Sequence, residues 1–357
     1  MPLNKDTICS MPFITIHDSA PSSFSPCCHI DDSKFKKYKK IKDYLASSEL
    51  QSLKDNLLNG IKDTRCNYCW KAEKLKMRTL RQDSINDERF DKINDGKIRQ
   101  VNIQTGYVCN ISCMMCSPGV SSNLNQLWKG KSLAQHHTWW NGPKLEYNKE
   151  SEKYIKENIN DIQYIDAVGG EPLYNKKYIA LLDYLLENNV HKNITLYITT
   201  NGTLLSDTIC KKLLKFKKVV ILTSIDGIGQ VNDYIRWGSK FSVVEKNFIK
   251  STKLFDHMIA TCVSALNVHR YNEIKEFAEA HNSQIDYEMV KDIPALNPWN
   301  VPEEFKKDIC HEHKDISKKT SNTKALFEYI RLWDSQRSIN IKDYMPEFGN
   351  LNGNNNN

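Results

Sequence analysis

From residue 101 onward, apolar positions along the chain follow two alternating patterns. Short runs rich in β-branched residues recur as "VNIQTG" (101–106), "YIDAVGGE" (164–171), "TLYITTNG" (195–202), "VVILTSIDG" (219–227), "MIATCVSALN" (258–267) and "IDYEMV" (285–290). Their length and composition predict strands. The segments between them carry helical periodicity; in one, Phe241, Val244, Phe248, Thr252 and Phe255 would form a single buried stripe. Six such alternations with near-continuous apolar strands predict a parallel sheet covered by helices. Each of the middle runs turns polar or glycine-rich at its end, in "GGEP", "TNG", "SIDG" and "ALN". In β/α barrels the ligand lies at the carboxyl ends of the strands, which is where these groups fall. The expected fold is α/β, a partial (β/α)6 barrel over residues 99–295.

The pattern differs on either side. Residues 1–98 form a cysteine-rich α+β region in which "PFITIH", a Ser/Pro-rich turn and "FSPCCHI" read as a short hairpin. A helical stretch over about 40–59 then leads to "CNYCWKAE". Residues 296–347 read as a C-terminal helical segment, with one helix within "ALFEYIRLWDSQRSI", and 348–357 as a disordered, low-complexity tail. The connection over 117–163 is long and carries His136, His137, Trp139 and Trp140. These residues read as an anchor for the insertion, with a substrate entrance as the alternative.

Composition adds little until the cysteines. Of 357 residues, 40% are hydrophobic and 26% charged, and the net charge of +7 comes from 50 basic against 43 acidic side chains. That excess is thinly spread, and without an Arg-rich stripe or recognition motif it makes a nucleic-acid partner the weaker expectation. No stretch has the apolar length of a membrane span, and "MPLNKDTICSMPF" lacks the features of a secretion signal, so the expected location is the cytoplasm. Eleven clustered cysteines in a reducing compartment point to metal binding rather than disulfides.

The sharpest signal is "YVCNISCMMCSPG", which places Cys109, Cys113 and Cys116 on one loop after the first barrel strand. Zinc would need a fourth Cys or His, and the next downstream histidine, His136, is twenty residues beyond Cys116. A [4Fe–4S] cluster suits three thiolates, leaving one iron open to a chelating small molecule. This Cys-x3-Cys-x2-Cys placement resembles the radical S-adenosylmethionine (radical SAM) superfamily. The resemblance implies a SAM-binding [4Fe–4S] cluster whose open iron takes the amino and carboxylate groups of SAM. Met115 stands where that family commonly has an aromatic residue, and its soft apolar side chain would shield the cluster. "VGGEP" resembles the family's GGE motif. Gly169 and Gly170 would allow close backbone approach, and the Glu171 carboxylate would pair with the SAM ammonium. Ser224 and Asp226 are implied as partners of the ribose hydroxyls. Asn201, Arg236 and Asn267 resemble other positions around the cofactor.

Cys9, Cys27, Cys28, Cys66 and Cys69 form a second constellation, in which structural zinc is one possibility. "C…PF…PCC" followed by "CxxCxxxE" resembles the cysteine-rich part of the twitch/SPASM-like branch, which implies a second, auxiliary [4Fe–4S] cluster. In the better-known members that part follows the barrel; here it precedes it, and either Cys27 or Cys28 is open as a ligand. Cys210 and Cys262 read as structural; Cys310 in "CHEH" reads as part of a solvated polar helix, with a stray metal as the alternative. The resemblance implies reductive cleavage of SAM to a 5′-deoxyadenosyl radical that abstracts hydrogen from a substrate. No catalytic residue beyond the cluster is identifiable. A peptide or protein side chain is the leading substrate expectation, and a flavodoxin or ferredoxin the expected electron donor. A small metabolite or nucleotide-linked sugar is the second reading, and a zinc-stabilised nucleic-acid-binding protein the reading of another class.

Overall fold

The computed structural model of the chain describes residues 5–19, 23–74, 76, 78–86, 93, 95–138 and 140–353. Among these the strands are β1 (Thr15–Ser19), β2 (Ser23–Ser25), β3 (Gln100–Gln104), β4 (Ser112–Cys113), β5 (Tyr164–Val168), β6 (Thr195–Thr200), β7 (Lys218–Ser224), β8 (Arg236–Trp237), β9 (Asp256–Val263) and β10 (Gln284–Met289). The chain divides into two compact units. One comprises Met1–Thr105, Glu146–Val168 and Ala180–Tyr197; the other comprises Gly106–Leu145, Gly169–Ile179 and Ile198–Asn357. The strand–helix succession from β3 to β10, less the short β4 and β8, is the expected α/β partial barrel, with a cysteine-rich part before it and helices after it.

In the first unit the expected hairpin is present: β1 runs antiparallel to β2, with His17 opposite Ser25. The sequence does not reveal that β1 also pairs in parallel with β3, Ile16 opposite Val101, so that it extends the same sheet. β3 in turn pairs in parallel with β5. Four of its five residues are buried, as expected of a strand covered on both faces. The helical stretch expected over 40–59 is two helices, Ile41–Leu45 and Ser48–Leu58. Ser47 breaks it because its backbone is extended and its side chain accepts from Leu50 N, the N-cap arrangement. Leu50, Leu53 and Leu57 then bury one face.

In the second unit β7, β9 and β10 pair in parallel, with Leu222 opposite Met258 and Met289 opposite Val263. Phe241, Val244 and Phe248 of the Phe241–Thr252 helix enter the core with Ile259 and Val263. Thr252 and Phe255 are only partly buried, because the helix ends at Thr252 and the stripe runs past it. Trp128 meets Trp140 and Trp333 edge to face at 5.4 and 5.3 Å. Trp140 therefore anchors the 117–163 connection to the core, while Trp139 lies outside the described residues. The C-terminal part is a run of 3-10 turns, the short Lys314–Ser317 helix and then the Thr323–Arg337 helix, capped by Asn322 and ended at Ser338 in the left-handed region (φ 54°). Of the expected tail, Pro346–Gly353 forms 3-10 turns with Phe348 buried, and 354–357 lie outside the described residues. Among the described residues no helix is long and apolar enough to cross a membrane.

Candidate functional site

The three-cysteine loop is pinned at every few residues. Cys109 N donates to Ser122 Oγ at 3.0 Å, and that hydroxyl donates back to Cys109 O at 3.0 Å. Ser121 donates to Ile111 O (2.7 Å) while accepting from Leu124 N, so one side chain caps the Ser122–Leu127 helix and fixes the loop. Next, β4 pairs antiparallel with β8, setting Cys113 directly opposite Arg236. Met114 N donates to Ile235 O at 2.9 Å, and Tyr329 Oη donates to Met114 O at 2.7 Å. Cys109 and Cys113 are buried, Cys116 is half-buried, and Met115 and Cys116 both pack against the cluster of Cys109, Ile111 and Cys113.

The electrostatics suit a thiolate-rich guest. Burial pushes the Cys109 thiol up to about 11, and the neighbouring Cys113 adds to the rise. A shared hydrogen bond lowers Cys113 and raises Cys116. Arg236 draws all three toward the thiolate form. Burial disfavours the Arg236 charge, but Cys113 and Asp226 more than restore it. Arg236 Nε is buried without a hydrogen-bond partner among the described residues, a cation only partly satisfied by the protein.

The "GGE" stretch packs against the base of the same loop. Gly170 N donates to Gly106 O at 2.6 Å and Glu171 N to Val108 O at 2.9 Å. A Cβ on Gly170 would stand 2.5 Å from Val108 O, and Gly169 has φ 138°, so both positions require glycine. The Glu171 carboxylate is fully buried and accepts from Leu173 N (3.1 Å), Thr200 Oγ1 (2.7 Å) and Asn201 N (2.7 Å). A carboxylate has roughly four acceptor sites, so about one remains. Burial raises its pKa, opposed by those hydrogen bonds and by Arg236. Asn201 also reaches the cysteine loop, donating from Nδ2 to Asn110 Oδ1 at 2.8 Å.

The ends of the next strands meet at Asp226. Its Oδ2 accepts from Arg236 Nη1 at 2.6 Å and its Oδ1 from Cys262 N at 2.7 Å. Asn267, also fully buried, donates to the Asp226 and Cys262 carbonyls and accepts from Ser264 N. Ser224 is half-buried at the end of β7, in register with Ala260. The structure thus gathers the three cysteines with Arg236 and Glu171, while the polar groups of Asn267 and the carboxylate oxygens of Asp226 are engaged within the protein. Sequence reading missed Asn110, Thr200, Ser121, Ser122 and Tyr329. The paired serines before a helical run are a capping signal. Nothing local announces Tyr329, 215 residues from its partner.

In the first unit, Cys9, Cys27, Cys66 and Cys69 line one cavity together with His29 and Arg81, whereas Cys28 is exposed. Burial pushes Cys9 up to about 11 and Cys66 up to about 12, and raises Cys27 and Cys69. Such thiols hold their protons until a cation displaces them. Glu73, the acid of the "CxxCxxxE" pattern, pairs with Arg81 at 2.7 Å. Arg81 Nη1 in turn donates to Lys5 O and Ile8 O, fixing the segment that carries Cys9.

Parallel β/α strands with three thiols on the loop after the first of them define a metallocluster-type partial barrel. The radical SAM superfamily model matches residues 103–282, just over half of the chain, and the chain belongs to that superfamily. It is 29% identical over 205 residues to the radical SAM cyclopropyl synthase TigE of Paramaledivibacter caminithermalis, covering 54% of this chain and 42% of that protein. It is also 30% identical over 129 residues to an uncharacterised protein of Methanocaldococcus jannaschii, covering 36% and 38%. The matches thus span about two fifths of these relatives' own length. Among solved structures, native anSMEcpe with bound AdoMet aligns at TM-score 0.40 and 19% identity, covering 54% of this chain and 52% of that one. Streptococcus suis SuiB bound to S-adenosylmethionine aligns at 0.41 and 14%, covering 87% and 68%.

Proposed function

We propose that the chain is a radical SAM enzyme that cleaves SAM reductively and uses the resulting carbon-centred radical to remove hydrogen from a substrate. The observation that carries this is the thiol set of buried Cys109 and Cys113 with half-buried Cys116, pinned with Arg236 opposite Cys113. Those three residues would hold a [4Fe–4S] cluster, which supplies the low-potential electron when bound. Arg236 offsets thiolate charge, and its free Nε–H is available to an acceptor. Met115, packed against Cys109, Ile111 and Cys113, would shield the cluster. Glu171 keeps one acceptor site for an ammonium, and Ser224 is assigned to a ribose hydroxyl. Asp226 and Asn267 position Arg236 and the strand ends, and Asn201 couples Glu171 to the cysteine loop.

The second centre is assigned to Cys9, Cys27, Cys66 and Cys69, with Cys27 rather than Cys28 as the ligand because only Cys27 lines the cavity. Four thiols suit an auxiliary [4Fe–4S] cluster, and this supports assigning the chain to the twitch/SPASM-like branch. Residues 1–98 then act as the auxiliary-cluster region, 99–295 as the catalytic core and 296–347 as its helical cover. A peptide or protein side chain is the substrate class, and a flavodoxin or ferredoxin the electron donor.

The test is anaerobic reconstitution followed by addition of dithionite and SAM. Cys113→Ala should abolish 5′-deoxyadenosine formation with the barrel still folded; undiminished formation would overturn the assignment. The variant lacking all three barrel cysteines should keep about four irons per chain, and adding Cys66→Ala and Cys69→Ala should remove most of them. One tightly held zinc in place of that iron would make the N-terminal centre a structural zinc site and remove the branch assignment.

A further inference from the structure

The "CHEH" segment is not the solvated helix its polarity suggests. Cys310 is extended (φ −61°, ψ 159°) ahead of a 3-10 turn over His311–His313, and His313 N donates to Cys310 O at 3.1 Å. That bond closes one tight turn and brings the two residues close in space. Both are buried, at 7% and 2% exposure. One ligand atom from each of Cys310, Glu312 and His313 lies within 4.8 Å of the others. His313 Nε2 is buried and has no hydrogen-bond partner among the described residues, a state that calls for a missing partner. Tyr271 and Tyr287 stand edge-on to its ring at 4.6 and 4.9 Å and fix its plane.

We infer that Cys310, Glu312 and His313 form a site for a borderline-soft divalent cation of the zinc class, additional to the two cysteine centres. One sulfur, one nitrogen and one carboxylate oxygen suit zinc and are a poor set for calcium or magnesium. Tetrahedral zinc bonds of about 2.0–2.3 Å place donors roughly 3.3–3.8 Å apart, so a set lying within 4.8 Å needs to contract by no more than about 1.5 Å. Glu312, the one exposed member, supplies that movement by rotating its side chain. Its Oε1 accepts from Lys275 at 2.7 Å, leaving the second oxygen for the ion while the ammonium orients the carboxylate. Three protein ligands leave the fourth position to water.

The full chain, reconstituted with iron and sulfide and desalted, is equilibrated with Zn²⁺ alone, and metals are counted per chain. The parent should hold one zinc more than Cys310→Ser, at equal iron content. Glu312→Ala, at an exposed position that leaves folding intact, should weaken that zinc at least tenfold in competition with a chromophoric chelator. With Co²⁺ in place of Zn²⁺, the parent should show thiolate-to-cobalt charge transfer that Cys310→Ser lacks. Equal zinc content in parent and Cys310→Ser, or a chelator competition unmoved by Glu312→Ala, would overturn the site.

Discussion

At the scale of single residues, Glu171 and Gly170 make separable predictions. Glu171→Gln keeps the shape but replaces a carboxylate oxygen with a donor facing either Asn201 N or the Leu173 N and Thr200 donors. Losing a charge-assisted bond of roughly 1.5–3 kcal/mol should weaken SAM binding at least about tenfold with the cluster still assembled. Calorimetry checks this, and an unchanged affinity would reduce "GGEP" to a turn. Gly170→Ala should instead prevent cluster assembly, because its methyl group would displace Val108 O and the cysteine loop with it; full iron content in that variant would contradict this. A pH effect is expected in the first unit. Burial pushes the Asp18 carboxyl up to about 6 from 3.8, against hydrogen bonds from Asn148, Gln104 and Ser151. The native state then keeps a proton that the unfolded chain has released, so this group's contribution to stability falls as pH rises from about 4 to 6. His17, lowered by burial to about 4 from 6.5, works in the opposite direction over the same range. Asp18→Asn should therefore unmask a rise in stability with pH, read by urea unfolding at several pH values; a profile parallel to the parent's would count against it. Much of the candidate site was legible in the sequence because its motifs are contiguous: "CNISCMMC" and "GGEP" each lie within a few residues. What the sequence hid is the state of the side chains. Nothing in "SIDG" says that both Asp226 oxygens are taken by Arg236 and a backbone amide.

At the scale of elements, the Thr323–Arg337 helix is a clamp on the cysteine loop. Tyr329 bonds Met114 O, and the buried Arg337 donates to Tyr234 O at 2.7 Å while its guanidinium lies 4.3 Å from the Tyr234 ring centre. Tyr329→Phe leaves a buried carbonyl unpaired, a loss of about 1–3 kcal/mol. The expected result is iron released to a chelator several-fold faster from the barrel cluster, with far-UV circular dichroism unchanged. Release at the parent's rate would mean that the clamp does not restrain the loop. Strands and helices were readable where periodicity is local, as in the Phe241–Thr252 helix. The clamp and the parallel pairing of β1 with β3 were not, since both join segments with no shared local signal. Ser47 shows a finer limit: a single cap divides what hydrophobicity alone reads as one helix.

At the scale of the whole molecule, metal should matter unequally to the two units. Four thiols line the N-terminal cavity, and metal bound there, as proposed, would contribute folding free energy to a small region. Stripping metal should raise amide hydrogen exchange through residues 5–19 and 63–74, while the Phe241–Thr252 helix stays protected. Uniform deprotection, or none, would contradict that division. The pairing of β1 with β3 bears on how the chain is made. Thr15 cannot meet its partner Gln100 until some eighty-five residues have followed it from the ribosome. Cys27, Cys66 and Cys69 of the N-terminal cavity are synthesised in that interval and Cys9 ahead of it, all before any of Cys109, Cys113 and Cys116 exists. Until then the β1 edge has no β3 to pair with, and if these four thiols hold a metal, theirs would be the first centre in the chain that a metal-delivery system could reach.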